Sequence, residues 1–134
     1  MREYIFRGKR KGDKEWQFGH LHIIEWDKPA KAKGDYIDYR ILGRHNECCY
    51  VDPETVGQYT GHICKNGKLF EGDIVKYKNS PPNLIRWNQD ISGFEAAHVR
   101  DGVEYTCGIC KVEDVEIIGN IHDNKEILEE GGEE

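Results

Sequence analysis

The cysteines of this sequence are the side chains best suited to hold a metal. Cys107 and Cys110 have the spacing of half a zinc site, because zinc knuckles use Cys-x-x-Cys pairs. A second pair at that spacing is missing, although residues 48–49, His62 or Cys64 could complete a tetrahedron. We therefore expect no metal and no cofactor, with Cys107 and Cys110 as weak metal candidates and the cysteines as reduced, mostly buried thiols.

Catalytic chemistry has less support. The sequence contains six histidines and 25 acidic residues but no Gly-x-Ser-x-Gly elbow, phosphate-binding loop or His-Glu-x-x-His motif. His98, His122 and Asp123 could lie together, but no spacing requires it. Because a general acid–base pair must be shown by its geometry, we predict no catalytic residue and no enzymatic activity.

Charge is unevenly distributed along a chain whose net charge is −6. Residues 1–14 hold six basic and two acidic residues, whereas residues 112–134 hold nine acids and one lysine. The basic head could bind phosphates, or both termini could be solvated surface, and we favour the second reading because an acidic protein repels nucleic acid. Under the first reading, these basic residues bind nucleic acid and these tryptophans stack on bases: Arg7, Lys9, Arg10, Lys11, Trp16, Trp26 and Trp87.

The elements that position these residues are predicted to be strands. Isoleucine and valine number 21 against ten leucines, alanines and methionines, and 14 residues are aromatic. β-Branched and aromatic side chains favour strands over helices. We expect a single domain over residues 1–134, mainly β, of bent antiparallel sheets joined by hairpins. No membrane span or secretory signal is evident, which predicts a cytoplasmic protein.

Strand and turn signals follow along the chain. Strands are predicted near residues 4–6, 16–26, 36–42 and 50–51, with loops at 7–13 and 27–35. Asn66-Gly67 predicts a type I′ hairpin turn, and Asp101-Gly102 predicts a second hairpin. Two prolines place a loop at 79–83. Gly119-Asn120 indicates a bulge, and a short helix is expected over 124–130 with Asn124 as its N-cap.

Three segments resemble the YopX family of phage and prophage proteins. They are DPETVGQYTG at 52–61, KNGKLFEGDIV at 65–75 and EIIGNIHDN at 116–124, and the likeness is strongest over residues 50–128. The resemblance implies a compact β fold that is partly an SH3-like barrel, with no catalytic motif, and residues 129–134 are expected to be a disordered acidic tail. The turns expected to define this fold are Asp52, Pro53, Gly57, Gly61, Asn66, Gly67, Glu71, Gly72, Asp73, Gly119 and Asn120.

The resemblance therefore favours one class of function over two others. We expect a phage- or prophage-derived accessory protein in a bacterial cytoplasm, acting by binding a protein partner or by forming a homo-oligomer, with no membrane contact. The first alternative is a small β-barrel that binds nucleic acid. The second is a zinc-binding module or metal-dependent enzyme.

Overall fold

The computed structural model describes residues 3–25, 37–109 and 112–131. Over these residues the chain is mainly β, with two antiparallel sheets, one short helix and no closed barrel. The predicted fold class is confirmed, while the likeness to an SH3 barrel stays a prediction. The chain divides into two compact units, Met1–Gln58 and Tyr59–Glu134. The predicted loop at 27–35, Trp26, Cys110 and the acidic end at 132–134 lie outside the described residues.

The first unit contains four strands and the start of a fifth, in the order β4-β3-β2-β1-β5. Their bounds are β1 (Phe6–Lys9), β2 (Trp16–Glu25), β3 (Ile37–Leu42), β4 (Cys48–Val51) and β5 (Gly57–Cys64), of which β5 continues into the second unit. The fully buried side chains of Ile41 and Val51 form its centre. Burying an aliphatic side chain of this size contributes about 1.5–3 kcal/mol.

The outer edge of β4 is bonded to the residues that end β1. The Lys11 amide donates to the Tyr50 carbonyl at 3.0 Å, and the Asp52 amide donates to the Lys9 carbonyl at 2.8 Å. Arg10 forms an isolated bridge with Val51 between these two bonds. This edge is therefore closed by the chain itself.

The predicted loop at 7–13 is wrong in its first half. Arg7 and Lys9 lie in β1, where they pair with Phe18 and Trp16 of β2. Only residues 11–13 form the turn. Each residue of β1 that pairs with the long aromatic strand β2 gains cross-strand side-chain contacts. These contacts outweigh the glycines and charges that predict a loop.

A turn forms at 52–55, where the sequence predicts one, and backbone hydrogen bonds close it. Pro53–Thr55 form one turn of 3₁₀ helix, and the Thr55 amide donates to the Asp52 carbonyl at 3.0 Å. The Asp52 side chain makes no capping bond; its carboxylate instead accepts from Lys14 Nζ at 2.9 Å. The backbone geometry that proline favours is sufficient to set this turn.

The second unit contains the rest of β5 and a sheet of five strands in the order β10-β9-β8-β7-β11. Its further elements are β6 (Gly67–Phe70), β7 (Asp73–Tyr77), β8 (Asn83–Asn88), β9 (Gly93–Arg100), β10 (Val103–Gly108), β11 (Val115–Asn120) and α1 (Lys125–Gly131). The buried core that these strands share is Cys64, Leu69, Val75, Ile85, Ala96 and Val115. No described helix is long and apolar enough to cross a membrane.

The predicted hairpin around Asn66 is confirmed, but its turn type is wrong. Cys64 pairs with Gly67, so the two turn residues are Lys65 and Asn66. A type I′ turn requires positive φ at both turn residues, and the described residues with positive φ do not include these two. The left-handed position is Gly67, whose φ is 143°, at the first residue of the returning strand.

Gly57 is not at a turn as predicted, because it begins β5 and pairs with Arg7 of β1. Two other predicted glycine positions agree with the structure. Gly61 has a φ of 92° inside a register shift of β5, and Gly72 has a φ of 95° between β6 and β7. Beside Gly72, the Asp73 carboxylate accepts from the Phe70 amide at 2.8 Å. These positions need glycine because the left-handed region is costly for other residues.

The end of the second unit holds the predicted bulge and helix. β11 shifts register between Ile117 and Gly119, and α1 begins at Lys125. The residue before the helix has another role than the predicted one, because Asn124 Oδ1 accepts from the backbone amide of Asn120 at 3.2 Å. The expected N-cap thus ties the helix start back to β11.

Candidate functional site

The β11 edge of the five-stranded sheet is covered by the turn at residues 65–66. The Lys65 amide donates to the Val115 carbonyl at 3.0 Å. Asn66 Nδ2 donates to the Ile117 carbonyl, and Asn66 Oδ1 accepts from the Ile117 amide, both at 2.8 Å. A side-chain amide here makes the pair of bonds that a neighbouring strand would make, so this edge is occupied.

The opposite edge, β10, is open within the described part of the chain. All six of its residues are exposed, and β9 is the one strand paired with it there. The hairpin that leads into it has a two-residue turn, Asp101 and Gly102, with φ values of 53° and 76°. Open edges are templates for pairing with another chain, which makes β10 a candidate interaction site.

The register of this hairpin identifies the backbone groups that point outward. Arg100 and Val103 close the two-residue turn and form a hydrogen-bonded pair. Because hydrogen-bonded and non-hydrogen-bonded pairs alternate along an antiparallel ladder, the amides and carbonyls directed away from β9 belong to Glu104, Thr106 and Gly108. The edge offers a row of three donors and three acceptors.

On one face of the sheet, an ion-pair network links β10 to β9 and β8. Arg86 of β8 donates to Glu95 of β9 at 2.7 Å and to Glu104 of β10 at 2.6 Å. Asn88 Nδ2 also donates to Glu95 at 2.8 Å. The Arg86 guanidinium lowers the pKa of Glu104, and the Asn88 hydrogen bond followed by that of Arg86 lowers the pKa of Glu95. The hydrogen bonds that Arg86 donates to Glu104 and then to Glu95 raise the pKa of Arg86, so all three groups are charged at neutral pH.

On the opposite face of the β9–β10 hairpin, the exposed ring of Tyr105 lies beside the half-buried ring of His98. Tyr105 stacks on His98 with ring centroids 5.3 Å apart, and His98 Nδ1 lies 2.9 Å from Asn83 Oδ1. Val103, on the same face as Tyr105, is also about half exposed. Aromatic and aliphatic surface beside an open edge is typical of protein interfaces, where aromatic anchors contribute much of the binding energy.

A groove of about 230 Å³ lies beside this network. Its lining is largely apolar, with charged groups among the apolar ones, and comes from the sheet and from α1. The lining residues are Pro81, Pro82, Leu84, Arg86, Ala97, His98, Val99, Glu104, Ile121, Lys125, Leu128 and Glu129. The β10 strand thus has a charged and grooved face and an aromatic face.

The basic head is neutralised by its own unit. Arg10 pairs with Asp13 at 3.3 Å and Lys11 lies 3.9 Å from Asp38. Lys14 makes the ion pair with Asp52 already described. The cluster of positive charge in the sequence therefore becomes a set of ion pairs in the fold.

The other two predicted nucleic-acid residues cover an aromatic ring. Arg7 is only 7% exposed, and its guanidinium lies 4.7 Å from the centre of the Trp16 ring. Lys9 Nζ lies 5.6 Å from the same ring. These cation–π contacts use the ring surface on which a base would stack.

Comparison with known proteins identifies the family. The YopX protein family model matches residues 5–129. The chain belongs to the YopX family. It is also similar to a solved structure described as "Crystal structure of protein EF1440 from Enterococcus faecalis", at 20% identity over 96% of this chain and 99% of that one, with a TM-score of 0.41. No curated protein matches it.

The prediction that the thiols are mostly buried is wrong for the described cysteines, because Cys64 is the one buried cysteine among the four that the structure describes. Cys107 is exposed on β10, Cys64 is buried, and the pair at 48–49 lies in β4. Burial, and then the charge of Asp73, raise the pKa of the Cys64 thiol, which disfavours the thiolate that a metal needs. The described residues contain no cluster of three metal-ligating side chains, and the partner of Cys107 in the predicted half-site, Cys110, lies outside them.

Of the three residues considered for catalysis, His98 has different bonding partners from His122 and Asp123 in this YopX fold. His98 is held by Asn83 and Tyr105, as described above. The Asp123 carboxylate accepts from Asn120 Nδ2 at 3.0 Å, and the His122 amide donates to Asn120 Oδ1 at 3.0 Å. Asn120 therefore organises the turn after β11.

Sequence reasoning suggested association through exposed β edges, but it identified neither the strand that forms the open edge nor the ion-pair network beside it. The signal was present in part, because Val103 to Gly108 contains one charge and no lysine or proline, the residues that commonly protect an edge. Which strand lies at an edge depends on the order of the sheet. That order was absent from the local pattern.

Proposed function

We propose that this YopX-family chain is a phage-associated accessory protein that acts by protein association, with a partner or with itself, rather than by catalysis. Family membership suggests the phage association. The observation that supports association is the open edge of β10, with exposed Val103 and Tyr105 on one face. Backbone donors and acceptors in a row supply affinity when another strand adds to a sheet, and the flanking side chains supply specificity.

The charged groups of the same region support this reading. Arg86, Glu95 and Glu104 are bonded to one another, and His98 is bonded to Asn83. Groups in such networks hold strands together, while the unbonded backbone of β10 remains available. We place the protein in the cytoplasm of a bacterial host, in keeping with the unpaired thiols of its described cysteines.

Light scattering after size exclusion tests the self-association part of this proposal. The molar mass of the full chain should rise above 15.5 kDa as its concentration is raised. A double substitution, Val103→Ser with Tyr105→Ser, should weaken this rise because it removes the exposed apolar surface. Ile91→Ser is the matched control, since Ile91 is 61% exposed but precedes β9.

A protein partner is tested by chemical cross-linking of the full chain in host extract, followed by peptide mapping. Cross-links should concentrate on the peptide that carries residues 103–108, and the double substitution should remove them. A constant mass of 15.5 kDa together with no cross-link to this peptide would contradict the proposed function.

The alternative that the protein binds nucleic acid predicts a different result. It requires labelled single strands to bind at low salt, with an affinity that falls as salt rises. We expect no such binding, because Arg10, Lys11 and Lys14 face carboxylates. Salt-dependent binding that is lost in Lys11→Ala would favour that alternative instead.

A further inference from the structure

We propose that the β10 edge pairs with the β10 edge of a second copy of this chain, antiparallel and across a twofold axis at Thr106. The inference rests on the proposed function, and it names the partner and the register. It begins from the outward amides and carbonyls of Glu104, Thr106 and Gly108, which have no bonding partner within the described residues.

The hydrogen-bond pattern selects among the possible registers. Two edges of this kind can bond only where outward residues meet outward residues. With the axis at Thr106, that residue meets its own copy, and Glu104 meets Gly108 of the second copy. All three outward residues are then used, with two bonds in each pair. Moving the axis to Tyr105 leaves Gly108 opposite the turn and uses fewer bonds.

Charge agrees with the same register. The charged side chain of β10 is Glu104, and its carboxylate is already neutralised by Arg86 at 2.6 Å. Centring the axis at Glu104 would oppose two carboxylates, which is destabilising. Centring it at Thr106 places a glycine opposite each of them and separates the two carboxylates by several residues along the ladder. The edge is therefore self-complementary in this register.

Side chains on the aromatic face also match. In the proposed register Tyr105 lies opposite Cys107 of the second copy, and the reverse pair forms on the other side of the axis. A sulfur beside an aromatic ring is a favourable contact of about 0.3–1.5 kcal/mol. Thr106 meeting Thr106 of the second copy is a further favourable cross-strand pair.

The size of the contact sets the expected strength. A single pair of six-residue edges buries less surface than the roughly 1,600 Å² of a standard interface. We therefore expect a weak dimer, with a dissociation constant of about 1–100 μM, that forms and separates with concentration.

Thr106→Pro is the variant that separates this inference from a general tendency to associate. Proline removes the outward amide of residue 106 but none of the bonds to β9, because residue 106 is a non-bonded position of that ladder. Sedimentation equilibrium of the wild-type chain should give a mass rising from 15.5 kDa toward twice that value. The dissociation constant should increase at least about tenfold in Thr106→Pro, a loss of about 1.4 kcal/mol.

Thr106→Val is the control, because valine keeps the amide and the β-branched shape. Its dissociation constant should stay within about threefold of the wild type. Unchanged dimerisation in Thr106→Pro would overturn the β10 inference and leave the proposed function standing. A wild-type chain that stays monomeric at about 1 mM would contradict both the inference and self-association.

Disulfide cross-linking tests the register without relying on the proline variant. A residue on the twofold axis lies about 5.5 Å from its own copy, within the Cα range of a disulfide. With Cys107→Ser in the background, Thr106→Cys should form a covalent dimer under mild oxidation, with the linked peptide confirmed by mass spectrometry. Glu104→Cys should form several-fold less, because its opposite residue is Gly108. Equal cross-linking of both variants, or none in a chain that dimerises, would overturn the register.

Discussion

Strands β11 and β10 form the two edges of the same five-stranded sheet, but their outer backbone groups have different partners. On β11, Asn66 and Lys65 bond to Ile117 and Val115 at 2.8–3.0 Å. On β10, the outward groups have no partner in the part of the chain that the structure describes. Both strands are six residues long, so length does not explain the difference.

The comparison shows that a chain can close an edge with one side chain. The carboxamide of Asn66 has one donor group and one acceptor, and these match the amide and carbonyl of a single strand residue. A strand treated in this way cannot accept another strand at that point. Within the described residues, no side chain covers β10 in this way, so an added strand can pair with the sheet only at the β10 edge.

The largest effect is expected from Gly119→Ala at the covered edge. A Cβ at this position would lie 2.7 Å from Asn124 Oδ1, which accepts from the Asn120 amide. The asparagine side chain must move and that bond must break, so we expect a loss of about 1–3 kcal/mol in unfolding free energy. Urea denaturation measures it.

Gly108→Ala is the matched control on the open edge. A Cβ there has no described heavy atom within 4 Å, and its φ lies outside the left-handed region, so the unfolding free energy should stay within about 0.5 kcal/mol. Equal losses in the two variants would show that the edges do not differ in packing.

The next effect is expected from Asn66→Ala, which removes the side chain that closes β11. Two hydrogen bonds to Ile117 are lost, and water replaces them because the site is exposed. We expect a loss of about 1–2 kcal/mol in urea denaturation. Lys65→Ala is the control, because it keeps the backbone bond of residue 65 to Val115. An equal loss in Lys65→Ala would show that the Asn66 side chain has no special role in closing the β11 edge.

Acidification should act on the open edge through Glu104. Because Arg86 lowers the pKa of Glu104 in the folded chain, this carboxylate adds stability above its unfolded pKa of about 4.3. That stability is lost as pH falls through the lower folded pKa. The thermal unfolding midpoint of the wild type should therefore lie above that of Glu104→Gln at pH 7, and the difference should disappear as pH falls through the lowered folded pKa. A difference that is constant with pH would refute the role of this ion pair.

The smallest effect on stability is expected from Thr106→Ala. Its side chain is exposed on β10, and no described group bonds to it. The unfolding free energy should change by less than about 0.5 kcal/mol. A loss as large as that of Asn66→Ala would mean that β10 is covered after all.

Much of the second unit could be predicted because its turns have local causes. Positive φ at Gly72 and Gly102 follows from the freedom of glycine, and the bulge after Ile117 coincides with a glycine in a β-branched run. The hairpin at 64–67 was predicted correctly in place. Its turn type was wrong, because Asn66 is used to bond β11 across a separation of 51 residues.

The candidate site could not be predicted for the same reason. Glu95 and Glu104 lie 9 and 18 residues after Arg86, and nothing local indicates that three strands bring these side chains together. In the first unit, Arg7 belongs to a segment whose glycines and charged residues are typical of a loop, but its side chain is buried against Trp16. Pairing between distant strands decided both outcomes, and a single sequence carries little information on such pairing.

Amide hydrogen exchange of the full chain at two concentrations tests whether the outer edge of β10 is open in the monomer and covered by a second copy. At low concentration the Thr106 amide should exchange close to the rate of an unfolded chain, while the Ile117 amide, bonded to Asn66, exchanges slowly. Raising the concentration should slow Thr106 and leave Ile117 unchanged, because a second β10 strand protects the outward amides. A Thr106 amide that is slow at the lowest concentration, or whose rate does not depend on concentration, would contradict the claim.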